Sequence, residues 1–165
     1  MLELKYEPYD LLHTKVREFK FEDSDPEQLE KDMIELMLDN KGIGLAANQI
    51  GLDQSVFIMG SNEISGFCKP QIFINPFIIK YSEDQTLHTE GCLSFPGLFM
   101  KIKRPSTIEV AYQEKNGNII EARIDGYMAK AFQHEFDHLN GVCFTDRVSK
   151  IKLDMAVKKL VKNRR

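Results

Sequence analysis

The sequence predicts an α+β fold in which antiparallel β-sheets pack around a central helix, with one helix before the sheets and a short helix after them. Three observations predict this class: three segments with helical apolar periodicity, β-branched and aromatic runs gathered between the first two, and an Asn116-Gly117 pair typical of a hairpin turn. Strands set apart from helices favour α+β over a parallel doubly wound sheet. A chain of 165 residues has the size of a single domain, predicted to span 1–165.

The first predicted helix begins after Asp25, whose side chain can cap it, with Pro26 at its first position and Gln28 placed to close a capping box. It ends near Asn40-Lys41-Gly42. Four runs rich in β-branched and aromatic residues predict antiparallel strands: 55–59, 72–80, 108–112 and 119–124. A second helix is predicted from about 125 to 139, where Asn140-Gly141 ends it, and an amphipathic third helix over 151–161.

The composition excludes several classes of protein. No apolar run approaches the roughly 20 residues that span a bilayer, and the first seven residues have neither the basic start nor the apolar stretch of a secretory signal. Three widely spaced cysteines make a disulfide framework improbable and favour a reducing compartment. We therefore expect no membrane partner and a location in the cytoplasm, or inside an organelle if a transit peptide has been removed.

Charge is distributed unevenly along the chain. From Arg147 onward there are eight basic residues and one acid, against 14 basic and 24 acidic residues before that point, and the net charge is −3. A basic end can steer a protein toward a polyanion such as the ribosome, although such a run is more often a solvated helix face. Ribosome contact through the tail is therefore the lesser of two hypotheses.

The strongest local pattern is His134-Glu135-Phe136-Asp137-His138, an H-E-x-x-H motif inside the second predicted helix. Residues four apart lie one turn above each other, so both imidazoles point the same way and can bind one metal ion. Glu135 lies between the histidines and the apolar face, where a partly desolvated carboxylate can act as a proton acceptor. The motif therefore predicts a two-histidine metal site with a neighbouring base.

The third ligand must come from elsewhere in the chain. An extended protease pattern would place a histidine where Phe144 stands, and Glu135 is the last glutamate, so the common zinc-protease ligand sets are absent. The upstream candidate is Cys92, in Glu90-Gly91-Cys92-Leu93-Ser94, since a thiolate with two imidazoles leaves a fourth tetrahedral position open for catalysis. The alternative for Cys92 is a buried structural cysteine.

A third segment, Gly42-Ile43-Gly44-Leu45-Ala46-Ala47-Asn48-Gln49, combines small residues with a terminal amide. Small residues permit tight backbone packing or close approach by a ligand, and the amide of Gln49 can donate a hydrogen bond. The glycine spacing matches neither the dinucleotide fingerprint nor the phosphate-cradling loop, so no nucleotide cofactor is predicted.

Together and in this order, the three segments resemble peptide deformylase. That family shows a G-x-G-L-A-A-x-Q stretch, an E-G-C-L-S stretch and a Q-H-E-x-D-H-L helix, matched here at 42–49, 90–94 and 133–139. The stretches 95–97 and 144–147 are similar to the plastid-type branch. The resemblance implies a hydrolase that removes the N-formyl group from the amino-terminal methionine of nascent polypeptides and releases formate.

The resemblance also implies roles for single residues. Cys92, His134 and His138 would hold one divalent ion, with iron(II) expected natively and zinc, nickel or cobalt also compatible with these ligands. Glu135 would move the proton, while the Gln49 amide and the backbone N–H of Leu93 would stabilise the developing oxyanion, as in the family.

The predicted substrate-binding residues are Ile43, Gly44, Gly91 and Tyr127. An extended peptide would pair with backbone near the two glycines. Tyr127 and Lys130 stand where many family members carry aliphatic residues that help line the pocket for the methionine side chain, so this chain departs from the family there.

Two rival functions remain open from the sequence. A metallopeptidase would cleave internal peptide bonds of unformylated substrates. A structural metal-binding or ribosome-associated module would have a saturated four-ligand site and release no formate, and it would not require Glu135 or Gln49.

Overall fold

The computed structural model describes residues 2–164. Its three α-helices are α1 (Pro26–Asp39), α2 (Gly126–Leu139) and α3 (Lys150–Asn163), with 3-10 turns at Asp10–His13, Ala47–Ile50 and Phe144–Arg147. The seven β-strands are β1 (Gly44–Ala46), β2 (Val56–Met59), β3 (Gln71–Tyr81), β4 (Gln85–Cys92), β5 (Phe95–Pro105), β6 (Thr107–Gln113) and β7 (Ile119–Asp125). The α+β class and the three predicted helices are confirmed.

The helix signals have the expected physical basis, with one difference. The Asp25 carboxylate accepts hydrogen bonds from the backbone N–H groups of Glu27 and Gln28, and Pro26 occupies the first turn of α1. The Gln28 amide, however, donates to Asp32 at 2.6 Å, so the reciprocal half of the predicted capping box is not formed. Asp32 lies four residues after Gln28 on the same helix face, so its carboxylate is within reach of the Gln28 amide.

Five strands form one antiparallel sheet in the order β1-β2-β3-β6-β7, with β1 at one edge. All four predicted strands lie in it, and β6 and β7 are joined through Asn116-Gly117, where Gly117 adopts a φ of +84°. Successive residues of β2 point to opposite faces. Phe57 packs in the core beneath α2, whereas Ile58 packs beneath α1, so the sheet lies between these two helices.

The remaining strands, β4 and β5, form a separate two-stranded hairpin that the sequence did not predict. β4 is mostly polar, and β5 contains prolines at 96 and 105, both features that weaken a strand signal. Alternate residues of β5 are nevertheless buried, and its apolar side chains at 98, 100 and 102 pack with Phe144 and with one face of α3. The alternation of apolar and polar residues along β5 could have predicted this strand.

α2 lies at the centre of the molecule, between the five-stranded sheet and the hairpin. Ten of its 14 residues are buried, including the polar residues Lys130, Gln133 and Asp137. A helix surrounded on all sides carries its polar groups into the interior, where each of them requires a partner. None of the helices formed within residues 2–164 has the length and apolar character needed to cross a membrane.

Candidate functional site

The two histidines of the H-E-x-x-H motif project from α2 toward the hairpin. His134 and His138 are both buried, and their ring centroids are 5.0 Å apart. Burial, followed by the positive charge of His134, holds the pKa of His138 well below its usual range, so this ring is neutral at neutral pH. A neutral imidazole is the form that binds a metal ion.

The hairpin brings Cys92 to these histidines. Cys92 is the last residue of β4, and Leu93 and Ser94 form the two-residue loop that leads into β5. The Cys92 Sγ lies 3.3 Å from His138 Nε2, and one ligand atom from each of Cys92, His134 and His138 lies within 4.8 Å of the others. One sulfur and two imidazole nitrogens converging in this way suit a tetrahedral divalent ion with a position left open.

Glu90 orients the first of the two histidines. Its Oε1 lies 2.7 Å from His134 Nδ1, so that nitrogen carries a proton and Nε2 is the nitrogen that a metal ion would bind in place of a proton. Burial alone would raise the pKa of Glu90, but the hydrogen bonds from Arg104 and from the two neighbouring histidines outweigh burial, and the pKa is well below its usual range. Glu90 is therefore a carboxylate, as the histidine requires.

Arg104 connects this carboxylate to α2. Its guanidinium donates to both oxygens of Glu90 at 2.6 and 2.9 Å and to Asp137 Oδ2 at 2.8 Å, and Arg147 donates to the same Asp137 from the other side. No local sequence pattern predicted this buried network. Arg104 follows the apolar residues at 98, 100 and 102 at every second position of β5, and this alternation could have predicted that its side chain is buried.

Glu135 lies beside the three clustered residues and is deeply buried. A β-carbon added at Gly44 would overlap the Glu135 carboxyl group, so glycine at this position makes room for the acid. Its Oε2 atom is buried without a hydrogen-bond partner within the described part of the chain. Burial, opposed in part by the charge of His134, raises the pKa of Glu135 to about 7, where a carboxyl group can both accept and return a proton.

The Gln49 side chain is held in one orientation. Its Oε1 accepts the backbone N–H of Ala46 at 2.9 Å, so its Nε2 points to Cys92 Sγ at 3.4 Å and to Ser94 Oγ at 3.1 Å. The backbone N–H of Leu93 follows Cys92 directly in the same loop. The structure therefore brings both predicted oxyanion donors to the sulfur end of the cluster.

A cavity of about 560 Å³ opens onto this cluster. Every residue predicted to bind substrate lines it, together with both predicted oxyanion residues and the acid: Ile43, Gly44, Gln49, Gly91, Leu93, Tyr127 and Glu135. Cys92 and His134 also line the cavity, whereas His138 lies behind them. Lys130, which stands at a pocket-lining position of the family, lines it as well, and so does His88, for which the sequence predicted no role.

An α+β fold in which an H-E-x-x-H helix and a cysteine from a hairpin make a candidate metal centre is typical of a metal-dependent hydrolase. The family model described as polypeptide deformylase matches residues 1–154. The chain therefore belongs to the peptide deformylase family, which removes the N-formyl group from nascent peptides.

Individual relatives agree with this assignment. The peptide deformylase of Rhizobium meliloti is 39% identical over 140 residues, covering 85% of this chain and 80% of the relative. The crystal structure of peptide deformylase from Ehrlichia chaffeensis is similar with a TM-score of 0.89 at 35% identity, covering 99% of this chain and 97% of that one. The structure from Synechococcus elongatus, in complex with actinonin, has a TM-score of 0.86 at 35% identity and covers 96% of this chain and 85% of that one.

Proposed function

We propose that this site hydrolyses the formamide of N-formyl-methionyl peptides with one divalent ion held by Cys92, His134 and His138. The convergence of a sulfur and two imidazoles beside the buried carboxyl of Glu135 is the observation that carries the proposal. A bound ion would act as a Lewis acid, lowering the pKa of a water and polarising the formyl oxygen. We further propose that residues 1–165 form one catalytic domain.

Glu135 performs the proton transfers. Its pKa of about 7 lets the carboxylate accept a proton from the attacking water near neutral pH. The acid form then gives that proton to the amine nitrogen as the bond to the formyl carbon breaks, so the products are formate and a peptide with a free amino terminus. Burial beside Gly44 keeps bulk water away from the proton while Glu135 holds it.

Gln49 and Leu93 stabilise the charge that develops on the formyl oxygen. Because the Gln49 oxygen is occupied by the Ala46 N–H, its amide nitrogen is already aimed at the reacting centre and needs no rearrangement. The Leu93 N–H is held by the tight hairpin loop. Donors arranged before the reaction cost little reorganisation when the oxyanion forms.

The peptide substrate binds between two free strand edges. Within the described residues, β1 is an edge strand of the five-stranded sheet and β4 pairs with β5 alone, so both can accept an extended chain as a further strand. Gly44 belongs to β1 and Gly91 to β4, and both line the cavity. Ile43 and Tyr127 then contact the side chain of the first residue.

The native ion in this proposal is iron(II), as the resemblance to the family implies. The ligands themselves also accept zinc, nickel or cobalt, and raw affinity favours zinc over iron. Anaerobic purification with metal analysis decides between them: iron predicts loss of activity in air, whereas full activity in air indicates zinc or nickel.

The basic helix α3 would contact the ribosome. The enzyme would then act where formylated chains are made, which is the cytoplasm or an organelle. α3 packs against the hairpin through Leu153, Ala156 and Leu160. The lysines of this helix lie outside that contact and are exposed. Sedimentation with ribosomes at increasing salt measures this contact, because a charge-driven association weakens with ionic strength. Equal sedimentation of a variant with Lys158 and Lys159 changed to glutamate would contradict it.

A formate-release assay with formyl-Met-Ala-Ser and metal analysis tests the main proposal. The wild type should release formate, and Glu135→Ala should retain its metal while kcat falls by several orders of magnitude, since the proton acceptor is gone. Near-normal kcat in Glu135→Ala would show that another group moves the proton. Cleavage of internal bonds in unformylated peptides would instead indicate a metallopeptidase.

A further inference from the structure

Lys130 is a buried cation at the edge of the reaction site. It lies one turn before His134 on α2, is 9% exposed, and lines the same cavity as Cys92 and Glu135. Lysine is almost never this buried in a protein unless its ammonium group is paired.

The partners of Lys130 are too few for its charge. Its Nζ donates a hydrogen bond to the Thr86 hydroxyl on β4, but no carboxylate of residues 2–164 lies within 4.0 Å of it. Arg104, which is 2% exposed, is by contrast paired with two carboxylates. An ammonium group carries three donors, so Lys130 retains donor capacity that the fold does not use.

Two further polar side chains, His88 and Tyr127, line the same cavity as Lys130. His88 Nε2 is 3.0 Å from Glu90 Oε2, while its Nδ1 is buried with no partner in the described chain. The Tyr127 ring centroid is 6.4 Å from that of His88 and 5.3 Å from that of Phe67. We call Lys130, His88 and Tyr127 the polar wall of the cavity.

The distance from the reacting centre indicates which part of a substrate meets this wall. Residues four apart on a helix are separated by about 6 Å along its axis, so Lys130 lies that far from His134. From the formyl carbon through the amide nitrogen to the δ atom of the first side chain there are five bonds, which span roughly 6 Å when extended. An extended first side chain is therefore long enough to reach the helix turn that carries Lys130.

We propose that the polar wall selects a first side chain with a hydrogen-bond-accepting oxygen on its δ atom, such as the sulfoxide of an oxidised methionine. This inference rests on the proposed deformylase function. An unoxidised thioether is a weak acceptor and leaves the ammonium unsatisfied, whereas a sulfoxide oxygen accepts a charge-assisted hydrogen bond from Lys130 Nζ.

The test compares formate release from three peptides, formyl-X-Ala-Ser, in which X is methionine sulfoxide (each epimer), methionine or norleucine. The wild type should show kcat/KM about 10- to 100-fold higher for one sulfoxide epimer than for norleucine, the range expected of one hydrogen bond to a charged group. Lys130→Met should reduce this ratio to within about threefold while norleucine is still processed, because only the ammonium donor has been lost.

Two control variants separate selection from packing. Lys158→Met removes an exposed lysine on α3 and should leave every ratio unchanged. Thr86→Val removes the only hydrogen bond that the Lys130 side chain makes within residues 2–164 and should preserve the sulfoxide preference. A preference lost equally in Thr86→Val and Lys130→Met would mean that Lys130 only ties α2 to β4, and this result would overturn the inference.

The wild-type ranking decides the question even if Lys130→Met does not fold. Equal or greater kcat/KM for norleucine than for both sulfoxide epimers would overturn the inference and leave the deformylase function standing. Absence of formate release from all three peptides by the metal-loaded enzyme would overturn the proposed function, and this inference with it.

Discussion

Replacing Arg104 with methionine tests whether the buried network holds the site together. The Arg104 side chain is 3% exposed and donates three hydrogen bonds of 2.6 to 2.9 Å to Glu90 and Asp137. Methionine fills a similar space but leaves two buried carboxylates facing each other without that cation. Asp137 keeps Arg147, whereas Glu90 keeps only its histidine partners.

The expected cost follows from this burial. Removing one partner of a buried ion pair destabilises a protein by about 3–5 kcal/mol, because the remaining charge stays desolvated. For a chain of this length, that loss lowers Tm by roughly 10 °C. The free energy of unfolding should be measured by urea titration in the presence of a chelator, so that a change in metal affinity does not contribute.

The matched control is Arg17→Met. Arg17 donates to Asp53 at 2.7 Å, but its side chain is 81% exposed, and an exposed pair of this kind contributes less than about 1 kcal/mol. An Arg104→Met protein no less stable than Arg17→Met would refute the reasoning, because it would show that the hairpin and α2 do not depend on this charge network. The metal affinity of Arg104→Met, measured separately, should fall about 10- to 100-fold, because Glu90 keeps its contact with His134 but is no longer fixed in place by Arg104.

Gln49→Leu should lower kcat by about 100-fold with unchanged metal content, since one oxyanion donor is lost; an effect confined to KM would contradict that role. Cys92→Asp should shift metal preference from zinc and iron toward harder ions, as measured by metal competition, and unaltered selectivity would argue against sulfur ligation. Burial raises the pKa of Cys143 from 9.0 to about 12, so from pH 9 upward the unfolded thiol ionises while the folded one stays neutral, and stability should fall with rising pH. Cys143→Ala should flatten that slope by up to about 1.4 kcal/mol per pH unit, and an unchanged slope would locate the titration elsewhere.

The helices and the main sheet could be predicted because their signals are local. Asp25 and Pro26 mark where α1 begins, and Asn116-Gly117 marks the β6–β7 turn, each through backbone geometry that needs no distant partner. The β4–β5 hairpin was missed because its strands are polar or contain proline. Their pairing is stabilised by burial against α3 and Phe144, which local propensity does not describe.

The pair of histidines could be predicted from the H-E-x-x-H motif alone, because a spacing of four residues places His134 and His138 on one helix face in any fold that keeps the helix. The distant groups that join them depend on how the chain packs. Cys92 reaches His138 although the two residues are 46 positions apart in sequence. Arg104 and Lys130 differ because Arg104 has carboxylate partners, whereas Lys130 has none within residues 2–164. Charge pairing and burial depend on which strands surround α2, and this is a property of long-range packing rather than of any local pattern.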